Sequence, residues 1–245
     1  MTKPLTPPAG TAARRRPLSR DRVLRAAIRL ADEGGLEPVS MRKLGQVLRV
    51  EAMSLYKHVA NKDDILDGIA DLVVGDFEVP SGDVDWKTAV RRSAISAHQT
   101  LLRHPWASSL IESRLNAGPA RRRYLDAVIG VLAAAGFPMP IVIRAIMALD
   151  SHNYGFVLQE MAWSFDTENA PEMAAAFARG LPAGEYPNLL AMAEMAATAP
   201  GGALVDFEFG LDLILDGLER LRDTAGHSTG PGPRSREDEA HSVAR

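Results

Sequence analysis

The sequence has no cysteine. That excludes disulfide bridges and thiolate metal sites, and nothing requires an oxidising compartment. No apolar run approaches the roughly 18–20 residues that cross a bilayer. Arg14, Arg15 and Arg16 are not followed at once by an apolar segment, so the N-terminus does not read as a signal peptide. A soluble cytoplasmic protein without membrane contact is expected. Runs of Val, Ile and Thr with period-two alternation are nearly absent, so no sheet is expected. No nucleophile elbow, phosphate-cradling glycine loop or paired-histidine metal motif occurs. An enzyme would have to use His104 or His152 with Asp150 or Glu160 as acid–base partners. Nothing else in the sequence supports one, so no enzyme, cofactor or metal is expected.

What is present favours helix. Of the 245 residues, 46% are apolar, and Ala and Leu, both strong helix formers, dominate them. An all-α chain follows. The formal net charge of −3 conceals an asymmetry. Residues 1–62 hold 13 Lys and Arg against 5 Asp and Glu, giving 13 − 5 = +8. Residues 63–245 hold 15 against 26, giving 15 − 26 = −11. A basic N-terminal quarter on an acidic body suits a polyanionic partner for that quarter, or else a merely solvated basic tail.

Residues 1–18 and 223–245 lack periodicity and read as a disordered arm and tail. Between them Ser19 can N-cap a first helix that ends at Gly34-Gly35. Ser40 caps a short second helix over 41–48 burying Leu44, Val47 and Leu48. After a break at 49–51 a third follows over 52–59. Asn61 caps a fourth, with Asp63 and Asp64 in its first turn, where acidic groups suit the helix dipole. Further helices are predicted near 85–103, 105–115, 119–135, 138–163, 171–180, 187–199 and 203–222.

The informative segment is Ser40–Lys62. Two short helices joined by about four residues cross steeply, as in a helix-turn-helix. The second then enters the major groove N-terminus first. Its exposed face must be small or hydrogen-bonding, and Ala52, Met53, Ser54, Tyr56, Lys57 and His58 fit. Leu55 and Val59, four apart, face the core. The alternative reading makes Tyr56 a core residue with a wet hydroxyl and Arg42 a simple surface charge.

The stretch from Ser19 to Ile69 resembles the DNA-binding domain of the tetracycline-repressor (TetR) family. The residues that carry the likeness are VLRAAIRLADEGG, SMRKLGQVL and VEAMSLYKHVANKDDIL. The body resembles the same subgroup through Leu101-Leu102-Arg103-His104, the turn at Ala134–Phe137, and Tyr154 to Glu160. The resemblance implies an N-terminal three-helix head over 19–63 and a C-terminal helical domain over 64–222 that binds an effector and dimerises. It implies that Arg42 reaches a base edge. Ala52, Met53 and Ser54 would lie in the groove, Tyr56, Lys57 and His58 on phosphates or the groove wall, and Lys62 on a phosphate. The implied function is a homodimeric regulator, a repressor by family habit, released from a palindromic operator in double-stranded DNA by a small organic effector. A DNA-binding architectural protein without an effector is the alternative. Two departures stand out. Arg49 occupies the turn where the family commonly has glycine. Ile111 falls where the tetracycline repressors place a magnesium-binding histidine, so an apolar or amphipathic effector without metal is expected.

Within the body, helix 138–163 is apolar nearly all round, yet its middle reads Asp150, Ser151, His152, Asn153, Tyr154. These polar groups either line a ligand cavity, with His104, Trp106, Met147, Phe156, Gln159 and Trp163 nearby, or bond to each other or across a dimer interface. The last helix carries Leu204, Phe207, Leu211, Ile214 and Leu218 at spacings of three and four, with Gly210 and Gly217 as notches. This seam, with helix 138–163, is the expected dimer interface, with packing of the same seam inside one chain as the alternative.

Overall fold

The computed structural model describes residues 17–114, 118–163, 170–198 and 206–227. Eleven helices run through them: α1 (Arg20–Gly34), α2 (Met41–Leu48), α3 (Ala52–Leu55), α4 (Lys62–Gly75), α5 (Trp86–Arg103), α6 (Trp106–Ser113), α7 (Pro119–Ala134), α8 (Met139–Trp163), α9 (Ala170–Gly180), α10 (Pro187–Thr198) and α11 (Phe207–His227). There is no strand among the described residues. Most of the arm, residues 1–16, lies outside them, as do Leu204 and the tail from 228.

The chain divides into two compact units, 1–69 and 70–245. The break falls inside α4, later than the boundary expected at 63. The cause is local. Asp64 takes a two-pronged bond from Arg20 of α1 (2.8 and 2.6 Å), and Gly68 lies against Leu24. The first turns of α4 therefore belong to the head.

In the first unit the expected caps form. Ser19 Oγ accepts from the Arg22 N–H, Ser40 Oγ from Lys43 N–H, and Asn61 Oδ1 from Asp64 N–H at 2.8 Å. Each offsets one of the unpaired N–H groups at a helix start. Val23, Ala27, Leu30, Val39, Leu44, Leu48, Leu55, Val59, Ile65 and Ile69 are buried. Val47, expected inside, is 43% exposed: α2 has eight residues, and Leu44 with Leu48 fills its inward face. The third helix is shorter than the expected 52–59, ending at Leu55, with turns over 56–58. Arg49 caps α2 in the left-handed region (φ 56°, ψ 49°), which burdens a residue with a Cβ by about 1–2 kcal/mol.

The second unit is organised around α5, α7, α8 and α11. Trp86, Val90, Ala94, Val128, Leu132, Phe137, Val142, Ala145, Leu149, Phe207, Leu211, Leu215 and Leu218 form its core. Two cations on α5 fix the pairing with α11. Lys87 bridges Asp216 and Glu219, and Arg91 bridges Asp212 and Glu208. Because the α5 numbers rise as those of α11 fall, the two helices run antiparallel.

The last helix corrects two expectations. It runs to His227, beyond the tail expected from 223. Arg222 lies over the Trp86 ring (5.7 Å to centroid), and Thr224 Oγ1 donates to the Arg220 and Leu221 carbonyls. These contacts hold a turn whose composition alone suggested disorder. The expected dimer seam is also largely internal. Phe207, Leu211 and Leu218 are core residues, and Ile214 is partly buried against them. A Cβ on Gly210 would meet His152 Cε1 at 2.6 Å, so that notch is filled by the chain's own ring.

A capping junction ties three segments together. Helix α7 begins at Gly118 with no cap of its own. Asp71, on the second half of α4, supplies one by accepting from Arg121 N–H at 3.0 Å. The Arg121 guanidinium in turn donates to the Ile111 and Arg114 carbonyls at 2.7 and 2.9 Å, closing the C-terminus of α6. Glycine at 118 leaves room for the Asp71 carboxylate, which a Cβ there would displace.

Two outcomes follow. Arg49→Gly relieves the left-handed strain but adds unfolded-state freedom, for a net gain of about 0.5 kcal/mol in urea unfolding, whereas Arg49→Val loses about 1 kcal/mol or more. Gly118→Ala forces Asp71 off the start of α7 and costs about 1–3 kcal/mol, read as a lower melting midpoint; an unchanged midpoint would mean the junction carries no strain.

Candidate nucleic-acid interface and ligand cavity

Two places in the chain gather groups whose chemistry exceeds the needs of folding. The first is the α2–α3 segment. The backbone N–H of Val50 donates to the Gly45 carbonyl at 2.9 Å, and that of Ser54 to Glu51 at 2.9 Å. These bonds set a tight corner between the helices. Gly45 is required there, since a Cβ would sit 2.9 Å from the Val50 carbonyl. Leu55 (0% exposed) and Val59 (2%) anchor the segment inward. Met53 (75%) and Tyr56 (49%) are turned outward, and Arg42, Lys57 and Lys62 are exposed. Ala52, Ser54 and His58 are half-buried. The tyrosine is thus no core residue. The outward set combines cations, a phenol and a methyl-bearing side chain, with the Ser54 hydroxyl half-buried beside them, which suits phosphates and base edges.

The second place is a depression in the second unit, between α5, α7 and α8. It is lined by Val90, Ser93, Ala94, Tyr124, Val128, Ile146, Leu149, Asp150 and Asn153, with Leu125. It holds about 350 Å³ of empty space counted out to solvent, of which about 20 Å³ admits the centre of a water. Asn153 is buried; its Nδ2 donates to the Leu149 carbonyl at 3.3 Å, while Oδ1 has no partner among the described residues. Burial, with Glu112 nearby, pushes the Asp150 carboxyl up to about 6, against the opposing pull of Arg121. Burial likewise pushes the Tyr124 hydroxyl up to about 12. Ser93 donates to the Glu78 carbonyl at 2.8 Å, and its oxygen lies 3.1 Å from the Tyr124 hydroxyl.

Beside the depression stands a ring cluster. The Phe207 ring stacks on His98 (centroids 3.8 Å, 3° between planes) and on His152 (4.7 Å, 17°), and Phe156 meets all three edge-on. His152 Nε2 lies 2.9 Å from the Phe207 carbonyl. Burial lowers His98 to about 4, with His152 adding to the effect, so it is neutral near pH 7. Its Nε2 is 3.3 Å from Glu160 Oε2, out of line for a hydrogen bond, and Nδ1 has no partner among the described residues.

The structure therefore splits the nine expected effector residues. Asp150 and Asn153 line the depression, and His152 and Phe156 sit in the ring cluster. His104 and Trp106 lie at the α5–α6 junction, 6.0 Å between ring centroids, and do not line it. Met147 is 67% exposed and Gln159 is exposed; both sit on α8 positions turned away from the core, so they are not cavity walls within one chain. The Trp163 side chain lies outside the described residues. His98, Ser93 and Tyr124 were not foreseen. A signal existed for His98, a polar residue on the apolar face of α5 that carries Val90, Ala94, Ala97 and Leu101. Ile111 is 1% exposed and offers no donor atom. Nor do the described residues contain three His, Asp or Glu grouped to hold a metal. No helix among them is long and apolar enough to cross a membrane.

Comparison with known proteins agrees with this architecture. Residues 23–69 match the family of bacterial regulatory proteins named for TetR, and residues 79–222 match the tetracycline repressor-like C-terminal domain. An HTH-type transcriptional regulator of Saccharopolyspora erythraea is 35% identical over 173 residues, covering 70% of this chain and 73% of that one. The HTH-type transcriptional repressor DrrR1 of Streptomyces coeruleorubidus is 32% identical, covering 83% and 78%. The crystal structure of the TetR family protein ActR of Streptomyces coelicolor with actinorhodin superposes with a TM-score of 0.69 at 26% identity, over 84% of this chain and 99% of that one. The chain belongs to the tetracycline-repressor family: it is a DNA-binding transcriptional regulator and not an enzyme.

Proposed function

We propose that the chain is a homodimeric repressor that reads a palindromic operator and leaves it when a small organic effector enters the α5–α7–α8 depression. The carrying observation is the outward display of Arg42, Met53, Tyr56, Lys57 and Lys62 around a helix-turn-helix whose Leu44, Leu48, Leu55 and Val59 are buried. In this reading residues 19–69 form the head that reads DNA, residues 70–227 sense and dimerise, and residues 1–18 and 228–245 are an arm and a tail. Arg42 and Ser54 read base edges, Ala52 and Met53 make apolar contact in the groove, and Tyr56, Lys57, His58 and Lys62 hold phosphates or the groove wall. The named repressor among the relatives and the actinorhodin complex of ActR support repression and an organic effector.

The dimer face we propose is the outward one rather than the internal seam. On α8 it carries Ile143 (56% exposed), Met147 (67%) and Leu158 (52%), and on α11 Phe209 (65%), Leu213 (56%) and Leu221 (51%). Gly217 adds a notch, since a Cβ there would meet nothing closer than Arg220 at 4.0 Å. Two copies that bury this stripe hold two reading heads, whose half-sites lie about one helical turn, roughly 34 Å, apart.

Release runs through the capping junction. Arg121 acts on Asp150 in the depression, closes α6, and is held by Asp71 of α4. A ligand at Asp150 redirects Arg121 and with it the second half of α4. That helix continues into the head, so the spacing of the two heads changes and register with the operator is lost.

Selection of sites from a random DNA pool, then screening compounds for release, tests the reading as a whole. On the selected palindrome, Lys57→Ala and Lys62→Ala each lower the salt slope of log affinity by about 1 without changing sequence preference, whereas Arg42→Ala and Ser54→Ala each relax preference at one position by about 1–3 kcal/mol. Sedimentation at micromolar concentration gives a dimer for the native chain and a monomer for Met147→Glu with Leu213→Glu; a native monomer overturns the dimer.

A further inference from the structure

The hydrogen bonds around the depression leave acceptors over. The Leu149 carbonyl can only accept, so the Asn153 amide turns its nitrogen to it at 3.3 Å. That leaves Oδ1 without a partner among the described residues, although the residue is only 5% exposed. The Glu78 carbonyl likewise takes the single proton of the Ser93 hydroxyl. The Tyr124 hydroxyl, 3.1 Å from the Ser93 oxygen, must then donate to it, and keeps lone pairs of its own. Asp150 lines the same depression and makes no hydrogen bond or ion pair among the described residues. The titratable groups that act on it come from three helices. Glu112 of α6 repels its charge, Arg121 of α7 attracts it, and Tyr124 of α7 and Tyr154 of α8 are neutral. The Arg121 guanidinium already donates to the Ile111 and Arg114 carbonyls. Helix α5 contributes Val90, Ser93 and Ala94, none of them charged. An anion would meet repulsion here, and a water would pair with Oδ1 but leave the Asp150 charge unbalanced.

Size and charge narrow the guest. The space open to the centre of a water is about 20 Å³, little more than the roughly 10–15 Å³ that a single water requires. A divalent ion asks for more carboxylate than the one side chain here, and no three His, Asp or Glu are grouped among the described residues. We infer that the inner end of the depression binds one water-sized monovalent cation, potassium or ammonium. The Asp150 carboxylate, Asn153 Oδ1 and the Tyr124 oxygen hold it, and water completes its shell on the open side. The site stands apart from the effector reading, because it needs neither DNA nor an organic guest.

The test measures the melting midpoint of the full-length chain, without DNA, in chloride salts of equal ionic strength: potassium, ammonium, or choline, which is too bulky to enter. At a pH of about 7.5, potassium or ammonium raises the midpoint by about 2–4 °C over choline. Asp150→Asn keeps the shape of the side chain and relieves a buried carboxyl, so the variant folds; its own midpoint in choline verifies this. It loses most of the increment. General effects of the salts on the exposed surface persist in that variant, so the difference between the two proteins belongs to the site. Asn153→Leu lowers the increment as well. Because Asp150 is held up at about 6, it carries its charge only above that value. The increment is therefore present at a pH of about 7.5 and lost by about 5. A crystal grown with rubidium, an anomalous scatterer that replaces potassium, gives an anomalous peak between Asp150 and Asn153 Oδ1. An increment from one of the two ions alone supports the site and tells which it takes. Equal midpoints in all three salts, an increment that Asp150→Asn retains, or a rubidium crystal without that peak overturns the site and leaves a buried water in its place.

Discussion

A helix of one turn cannot hold itself in water, and the reading helix here is one turn long, Ala52–Leu55. The head depends on supplying from outside the order that this helix lacks. Leu55 and Val59 sink one side into the core. The corner bonds from Val50 and Ser54 fix its entry. Its exit is fixed by Asp64, which accepts from the Ala60 N–H at 2.8 Å while gripped by Arg20. The Arg20 bond, more than any other cause, holds the Asp64 carboxyl below the usual range. Its contribution is therefore present at neutral pH and lost as pH falls through the depressed value. The pair is partly solvated, 46% and 29% exposed, so its value lies in geometry more than in energy.

The body faces the opposite problem. Its helices are long, and α8 is apolar nearly all round, so many packings would bury comparable area. The ionic ladder from Lys87 and Arg91 to α11 is too exposed to add much stability. It shows the antiparallel pairing of the two helices, with Lys87 on Asp216 and Glu219 and Arg91 on Asp212 and Glu208. Within that register Gly210 admits His152, and His152 reaches the Phe207 carbonyl. The ring stack sits on the same pairing of α8 with α11.

Local signals were legible because their causes are local. Ser19, Ser40 and Asn61 cap where they stand, and Leu55 and Val59 point inward because they lie four apart. The faces of α11 were not legible. Its apolar residues cover most of the circumference, so spacing alone cannot tell the face that meets α5 and α8 from the face left outside. Phe207, Leu211 and Leu218 went inward and Phe209, Leu213 and Leu221 outward, a division set by tertiary packing. The cavity was half legible for the same reason. Asp150 and Asn153 betray themselves as polar residues in a buried helix, but Ser93 and Tyr124 join them from α5 and α7, far off in sequence. Met147 and Gln159 are close neighbours of the cavity residues in sequence, yet helical rotation carries them to the outer side.

The two sites also differ in how strongly they point to function. An exposed Arg42 or Lys57 is compatible with many roles, because a solvated charge costs almost nothing to keep. Buried groups without partners are different. Among the described residues the unpartnered buried side-chain atoms are His98 Nδ1, Ser108 Oγ, Asn153 Oδ1 and Glu160 Oε2, and all four lie in the second unit. Each such group costs about 1–3 kcal/mol, in a fold whose margin is typically about 5–15 kcal/mol. A body that served only to join two heads would be more stable with apolar residues at these positions. Of the four, Asn153 is the one that lines the depression between α5, α7 and α8. Family membership fixes the helices around this cavity. What enters is decided by a few side chains that folding alone would not select.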